Sequence, residues 1–94
     1  MEPLVTVKIR ISSYLRRFTN DQDCLEVTGK TPLECLHDLE LQFPAIKSCL
    51  YDKWGDLRSE IQLFINQQMI NTNELNTPLK QGDELFLLVV IGGG

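Results

Sequence analysis

The residue types that could do chemistry are sparse in this chain of 94 residues. The most suggestive are three consecutive glycines, Gly92-Gly93-Gly94, which end on a carboxylate. Glycine has no side chain and the widest backbone freedom, so such a tail cannot pack and is expected to leave the fold. Three extended residues reach roughly 10 Å. A tail of that kind can thread a channel where any side chain would clash, and it delivers one reactive group. That carboxylate is ionised at neutral pH, because its reference pKa is about 3.5. It is therefore a poor electrophile and must be activated before a nucleophile can attack, most simply as an acyl-adenylate made with ATP. A sulfur nucleophile would then give a thiocarboxylate, and an amine an amide. No G-x-x-x-x-G-K phosphate loop is present to perform the activation. The chain is expected to be the co-substrate of an activating enzyme, with no catalytic residues, metal or bound cofactor of its own.

The other reactive types read as structure. Cys24, Cys35 and Cys49 are an odd number without C-x-x-C spacing, which fits neither a disulfide framework nor a zinc site. They are expected to be reduced thiols, most of them packing as small apolar groups. His37 has no second histidine or nearby cysteine and reads as a solvated helix residue. Asp38 and Glu40 read as the polar face of that helix, Trp54 as a residue packed at the core edge, and Arg16, Arg17 and Lys53 as surface charges. The net charge of -4 and the lack of a basic cluster argue against nucleic acid. The longest apolar run, Leu85 to Ile91, is 7 residues, against about 20 for a membrane-spanning helix. No signal peptide is legible at Met1-Glu2-Pro3-Leu4. A soluble, cytoplasmic protein is expected, with no membrane or nucleic-acid partner.

Length and a hydrophobic fraction of 43% fit one domain, spanning 1–91, with 92–94 as its tail. Val5, Val7, Ile9 and Ile11 alternate with polar residues, as in a strand with one buried face. Leu25-Glu26-Val27 is a second short strand, closed by Gly29. Thr31-Pro32-Leu33-Glu34 has the form of a capping box opening a helix. Leu33, Cys35, Leu36, Leu39 and Phe43 supply its apolar side, and Pro44 stops it. Ala45 to Glu60 is less regular, with a turn at Trp54-Gly55-Asp56. Ile61, Leu63 and Ile65 mark a third strand, and Asn66-Gln67-Gln68 turns the chain into Met69-Ile70. Thr77-Pro78-Leu79 and Gln81-Gly82-Asp83 are turn signals before the last strand. One helix against a four- or five-stranded mixed sheet is an α+β two-layer domain, with the first and last strands side by side in the middle.

From Phe43 onward the sequence resembles the ubiquitin-like sulfur-carrier family that includes the molybdopterin synthase small subunit and the thiamine-pathway and cysteine-pathway carriers. The resemblance is carried by Phe43-Pro44, Gly55-Asp56-Leu57-Arg58, Phe64-Ile65-Asn66, the run Thr77-Pro78-Leu79-Lys80-Gln81-Gly82-Asp83-Glu84, and Gly93-Gly94. It implies a β-grasp fold. It also implies three partners: an E1-like adenylating enzyme that uses ATP, a sulfur donor (a persulfide or sulfide source), and a downstream sulfur-acceptor enzyme. Gly94 and Gly93 would be the sulfur-accepting end, and Gly92 part of the tail that enters a partner channel. Val89-Val90-Ile91 stands where many relatives carry a proline, and Gly92 where they often carry alanine or threonine. These departures bear on the pathway served. The long Phe43 to Asn66 segment sits closest to the cysteine-pathway type.

One surface follows from the last strand. If Leu85, Leu87, Val89 and Ile91 face the helix, then Phe86, Leu88 and Val90 face outward, with Met69 beside them. An apolar patch on a small domain is expected to be a partner surface. Two other functions stay open: a ubiquitin-like modifier joined through Gly94 to lysines, and an interaction domain with an idle tail.

Overall fold

The computed structural model describes residues 5–90, except for the side chain of Thr72. Ile91 and the tail Gly92-Gly93-Gly94 lie outside the described residues, as does the expected boundary between domain and tail. The elements are β1 (Thr6–Ile11), β2 (Cys24–Thr28), α1 (Pro32–Gln42), α2 (Lys47–Leu50), β3 (Ile61–Ile65), β4 (Gln68–Ile70) and β5 (Glu84–Val89), with 3₁₀ turns at Ser13–Phe18, Pro44–Ile46 and Thr72–Glu74. The five strands form one mixed sheet in the order β2-β1-β5-β3-β4. The two central strands, β1 and β5, run parallel, and every other pairing is antiparallel. This is the β-grasp arrangement.

Period-two alternation sets the register. Val7, Ile9 and Ile11 of β1, Leu25 and Val27 of β2, Ile61 and Leu63 of β3, and Leu85 and Leu87 of β5 are buried in one core with Cys35, Leu36 and Leu39 of α1. A slip of one residue in any strand would turn that set to solvent. The helix starts where the cap was read. Thr31 Oγ1 accepts from the Glu34 N–H at 3.2 Å, and Pro32 opens the helix. The return arm differs from the expected box: the Glu34 carboxylate accepts from the Lys30 N–H at 2.9 Å, one residue upstream of the cap. Gly29 is buried against this first turn, and a Cβ there would lie 2.8 Å from the backbone nitrogen of Cys35. Close approach of β2 to α1 therefore requires glycine at 29, although its backbone needs no positive φ.

Two turns hold β5 in place. Asn66 and Gln67 both have positive φ (49° and 73°), as a two-residue hairpin between β3 and β4 demands. Gly82 has φ of 92°, and Asp83 Oδ2 accepts from the Lys80 N–H at 2.8 Å. Asp83 Oδ1 also accepts from the Asn66 side-chain amide at 3.0 Å, and Asn66 Oδ1 accepts from the Glu84 N–H at 2.9 Å. The turn before β5 is thus tied to the turn after β3. These bonds hold the Asp83 carboxyl below its ordinary range, led by the backbone bond from Lys80.

Several residues sit where the sequence did not place them. Trp54 is 74% exposed, with Lys53 Nζ 4.7 Å from its ring centroid. It stands at the tip of a loop closed by Asp52, whose Oδ1 accepts from the N–H groups of Trp54 and Asp56. That closure holds the ring away from the core. The polar-looking stretch after β1 contributes Leu15, and the irregular stretch after α1 contributes Ile46 and Leu50, all fully buried. Cys35 is buried and Cys49 half-buried, but Cys24 is exposed on the edge strand. Burial, with smaller help from the nearby Asp38 and Glu34 carboxylates, pushes the Cys35 thiol up to about 11, so it packs as an inert apolar group. His37 is exposed. Asp38 does more than face solvent: it accepts from the Thr28 N–H at 2.9 Å and from Gln42 Nε2 at 3.1 Å, while Gln42 also donates to the Glu26 carbonyl. Helix α1 thereby covers part of the free edge of β2. Glu40 faces Tyr51; burial, and secondarily this carboxylate, raise the Tyr51 hydroxyl above its usual range.

Candidate functional site

The site has two described parts, the outer face of the sheet and the root of the tail. On the outer face the ladder sets Arg10 opposite Phe86, Phe86 opposite Phe64, and Phe64 opposite Met69. The rings of Phe64 and Phe86 lie 5.8 Å apart at 36°, a contact distance at which aromatic pairs stabilise each other. Met69 is 52% exposed at the end of this row, and Leu88 lies one step along β5, opposite Gln62. Arg10, Phe64, Gln67, Glu84 and Phe86 border a shallow depression of about 300 Å³. Arg10 and Glu84 are 4.0 Å apart and well exposed, so the pair contributes little and leaves both charges available.

The structure therefore brings Phe86, Leu88 and Met69 to one face. Phe64, which joins Phe86 to Met69, was missed as a surface residue. Its signal was present: with Ile61, Leu63 and Ile65 inward, Gln62 and Phe64 must point out. Val90 belongs to the second part. It is 42% exposed and follows the end of β5.

At the root of the tail, β5 is gripped on both sides. Ser12 Oγ accepts from the Val89 N–H at 3.3 Å, and the Glu60 carbonyl accepts from the Val90 N–H at 2.7 Å. The last described residue, just past the end of β5, is thus still hydrogen-bonded to the residue just before β3. Beside it opens a cleft of about 540 Å³, where Tyr14, Cys49, Arg58, Glu60, Val89 and Val90 meet. Gly92, Gly93 and Gly94 lie beyond this point, outside the described residues. No group of His, Cys, Asp and Glu among the described residues could hold a metal ion. No helix among them is long and apolar enough to cross a membrane.

Comparison with known proteins bears on this geometry. The profile of the ThiS family matches residues 9–94. No curated protein sequence matches. Among solved structures, the small archaeal modifier protein SAMP1 from Methanosarcina acetivorans is 26% identical, with a TM-score of 0.86 over 99% of this chain and 100% of that one. The BexX/CysO complex from Amycolatopsis orientalis contains a chain 29% identical, with a TM-score of 0.82 over 94% of this chain and 99% of that one. CysO from Mycobacterium tuberculosis is 25% identical, with a TM-score of 0.80 over 90% of this chain and 99% of that one. A family match across nearly the whole chain, on a β-grasp sheet whose last strand leads into a glycine tail, makes this protein a member of the ThiS family of ubiquitin-like sulfur carriers.

Proposed function

We propose that this protein carries sulfur on Gly94. The supporting observation is the anchored root at Val90, followed in the sequence by Ile91 and three glycines. The Gly94 carboxylate attacks the α-phosphate of ATP on an E1-like enzyme, releasing pyrophosphate and forming an acyl-adenylate. A hydrosulfide equivalent from a sulfur donor then displaces AMP and leaves a thiocarboxylate. A downstream enzyme transfers that sulfur to a metabolite, and the carrier returns as carboxylate. ATP belongs to the activating enzyme, and this chain works as its protein co-substrate in the cytoplasm. Gly93 and Gly92 let the tail enter the narrow channel of each partner. Phe86, Leu88, Met69 and Phe64 form the face on which partners dock, with Val90 at its margin toward the tail. The BexX/CysO complex, in which a similar chain is held by a protein partner, supports this reading.

Intact mass tests it. Incubation with ATP, the E1-like enzyme of the same host and a sulfide source should exchange one oxygen for one sulfur, and deletion of Gly93 and Gly94 should abolish the gain. Unchanged mass with the cognate enzyme would sink the proposal. The similarity to SAMP1, a modifier protein by name, favours a second reading in which the activated Gly94 forms isopeptide bonds with lysines. Tail-dependent conjugates on a blot of host lysate would establish that reading.

A further inference from the structure

The outer face of the sheet differs from the rest of the surface in its charge. Four charged side chains alternate onto it from the strands: Lys8 and Arg10 of β1, Glu26 of β2 and Glu84 of β5. Two cations against two carboxylates make this face neutral, so the net charge of -4 lies on the other surfaces. Copies of the chain repel one another through those surfaces and can approach through this one. The charges are also ordered. Arg10 and Glu84 lie diagonally across β1 and β5, with Nε and Oε1 4.0 Å apart. That contact is too exposed to hold either charge firmly. Phe86 is the ladder neighbour of Arg10 and stands two residues along β5 from Glu84. A two-fold axis lying in the interface that exchanges the two charges therefore passes beside the Phe86 ring, toward Phe64. Lys8 lies on the same line on the far side, and in the ladder it sits between Glu26 and Glu84, which offset its charge.

We propose that in the free protein this face is covered by a second copy of the chain, in a symmetric pair that sets Arg10 of each copy against Glu84 of the other around the Phe86 and Phe64 rings. An interface of this kind must be self-complementary, and a neutral apolar patch carrying one exchangeable cation and carboxylate meets that condition. The apolar part is small: Phe64, Phe86, Leu88 and Met69, beside the roughly 20–30 residues a side of a standard interface. The pair is therefore transient, mostly separate at about 10 µM and mostly joined at about 1 mM. At the micromolar concentrations of an unfolding measurement the face is open. The consequence for function is competition, since the activating enzyme must displace the second copy to reach the same residues. That consequence rests on the docking role given to this face under the carrier reading; the pairing itself does not.

Sedimentation equilibrium of the full chain at low salt, from about 10 µM to 1 mM, measures the association. A reductant keeps the exposed Cys24 from forming a disulfide. R10E sets carboxylates against carboxylates across the axis and should weaken pairing more than ten-fold, and E84R should do the same with cations. An equimolar mixture of R10E and E84R should recover most of the wild-type association, because the two acidic positions of one copy then meet the two basic positions of the other. Mixing would not repair a merely structural defect. F86A should weaken pairing roughly ten-fold. L41A removes an exposed apolar residue from helix α1, away from this face, and should leave pairing unchanged. Wild-type protein that stays monomeric throughout would overturn the proposal and leave the face to the activating enzyme alone. A mixture of R10E and E84R that stays monomeric, with both variants folded, would overturn the charge-exchanged arrangement. Pairing lost in L41A and kept in F86A would overturn it in favour of the helix side. Monomeric wild type that gains sulfur would sink the pairing alone, and paired wild type that gains no sulfur with the cognate enzyme would sink the carrier reading alone.

Discussion

The two faces of β5 are built from similar residues and meet different fates. Leu85 and Leu87 point into the core and are fully buried, while Phe86 and Leu88 alternate with them on the other face and are only partly covered. Helix α1 packs on one side of the sheet and nothing described packs on the other. Hydrophobicity alone does not distinguish the two sets; the layer that covers them does. The inner face is tied to stability, and the outer face is left for association.

Substitutions that exchange the two fates give the largest expected effect. Leu87→Ala should cost about 2–5 kcal/mol, the range for emptying a fully packed leucine site. Leu88→Ala and Phe86→Ala should cost about 1 kcal/mol each, mainly a lost aromatic or cross-strand contact. Urea denaturation of the three variants measures this directly. Equal costs would mean that the outer face is covered in solution, for example by a second copy, and would end the distinction. In the proposed function the ranking reverses for binding to the activating enzyme, where Phe86→Ala should lose more than a core variant that still folds.

Gly29 sharpens the comparison at the edge of the same core. Its missing Cβ lets β2 approach the first turn of α1, with backbone atoms of Cys35 and Glu34 inside 3.0 Å of where a Cβ would stand. Gly29→Ala should therefore destabilise by about 1–3 kcal/mol through overpacking against backbone. Gly55→Ala is a useful control, because Gly55 is limited by its φ of 86° and has open space around it. A neutral Gly29→Ala would show that β2 can withdraw from the helix at little cost.

What was legible in the sequence follows the same division. Elements with strong periodicity came through: the alternation in β1 and β3, the Thr31 cap, the Pro44 stop, the Gly82 turn, and Leu85 and Leu87 as inward residues of β5. Leu15, Ile46 and Leu50 were not legible as core, because each lies in a short 3₁₀ or four-residue helical turn where one apolar residue carries no period. Trp54 was misplaced because large aromatics are usually buried, and only the closure of its loop by Asp52 keeps it out. Phe64 could have been found from its neighbours. The cleft at the tail root could not, since Tyr14, Ser48, Arg58 and Val90 are brought together by topology from separated stretches of chain.

The smallest effect lies at the turn that launches β5. Asp83 accepts from Lys80 and Asn66, and its folded-state pKa is lowered from the ordinary value of 3.8. A lowered carboxyl contributes stability that is fully present above its unfolded pKa and is lost as pH falls through the folded value. Stability should therefore decline below about pH 4 by a share that belongs to Asp83. That share is modest because the group lies at the surface, where solvent screens it. Asp83→Asn can still accept the Lys80 N–H through its amide oxygen but cannot titrate. Its stability should be lower than wild type near neutrality by that modest share, because its amide nitrogen cannot accept from Asn66, and should fall less steeply than wild type between pH 4 and 2. Thermal midpoints of the two proteins across that window decide it. Parallel acid limbs would mean that the Lys80 and Asn66 bonds hold the turn without favouring the charged carboxylate, and that the link from β3 to the start of β5 is geometric only.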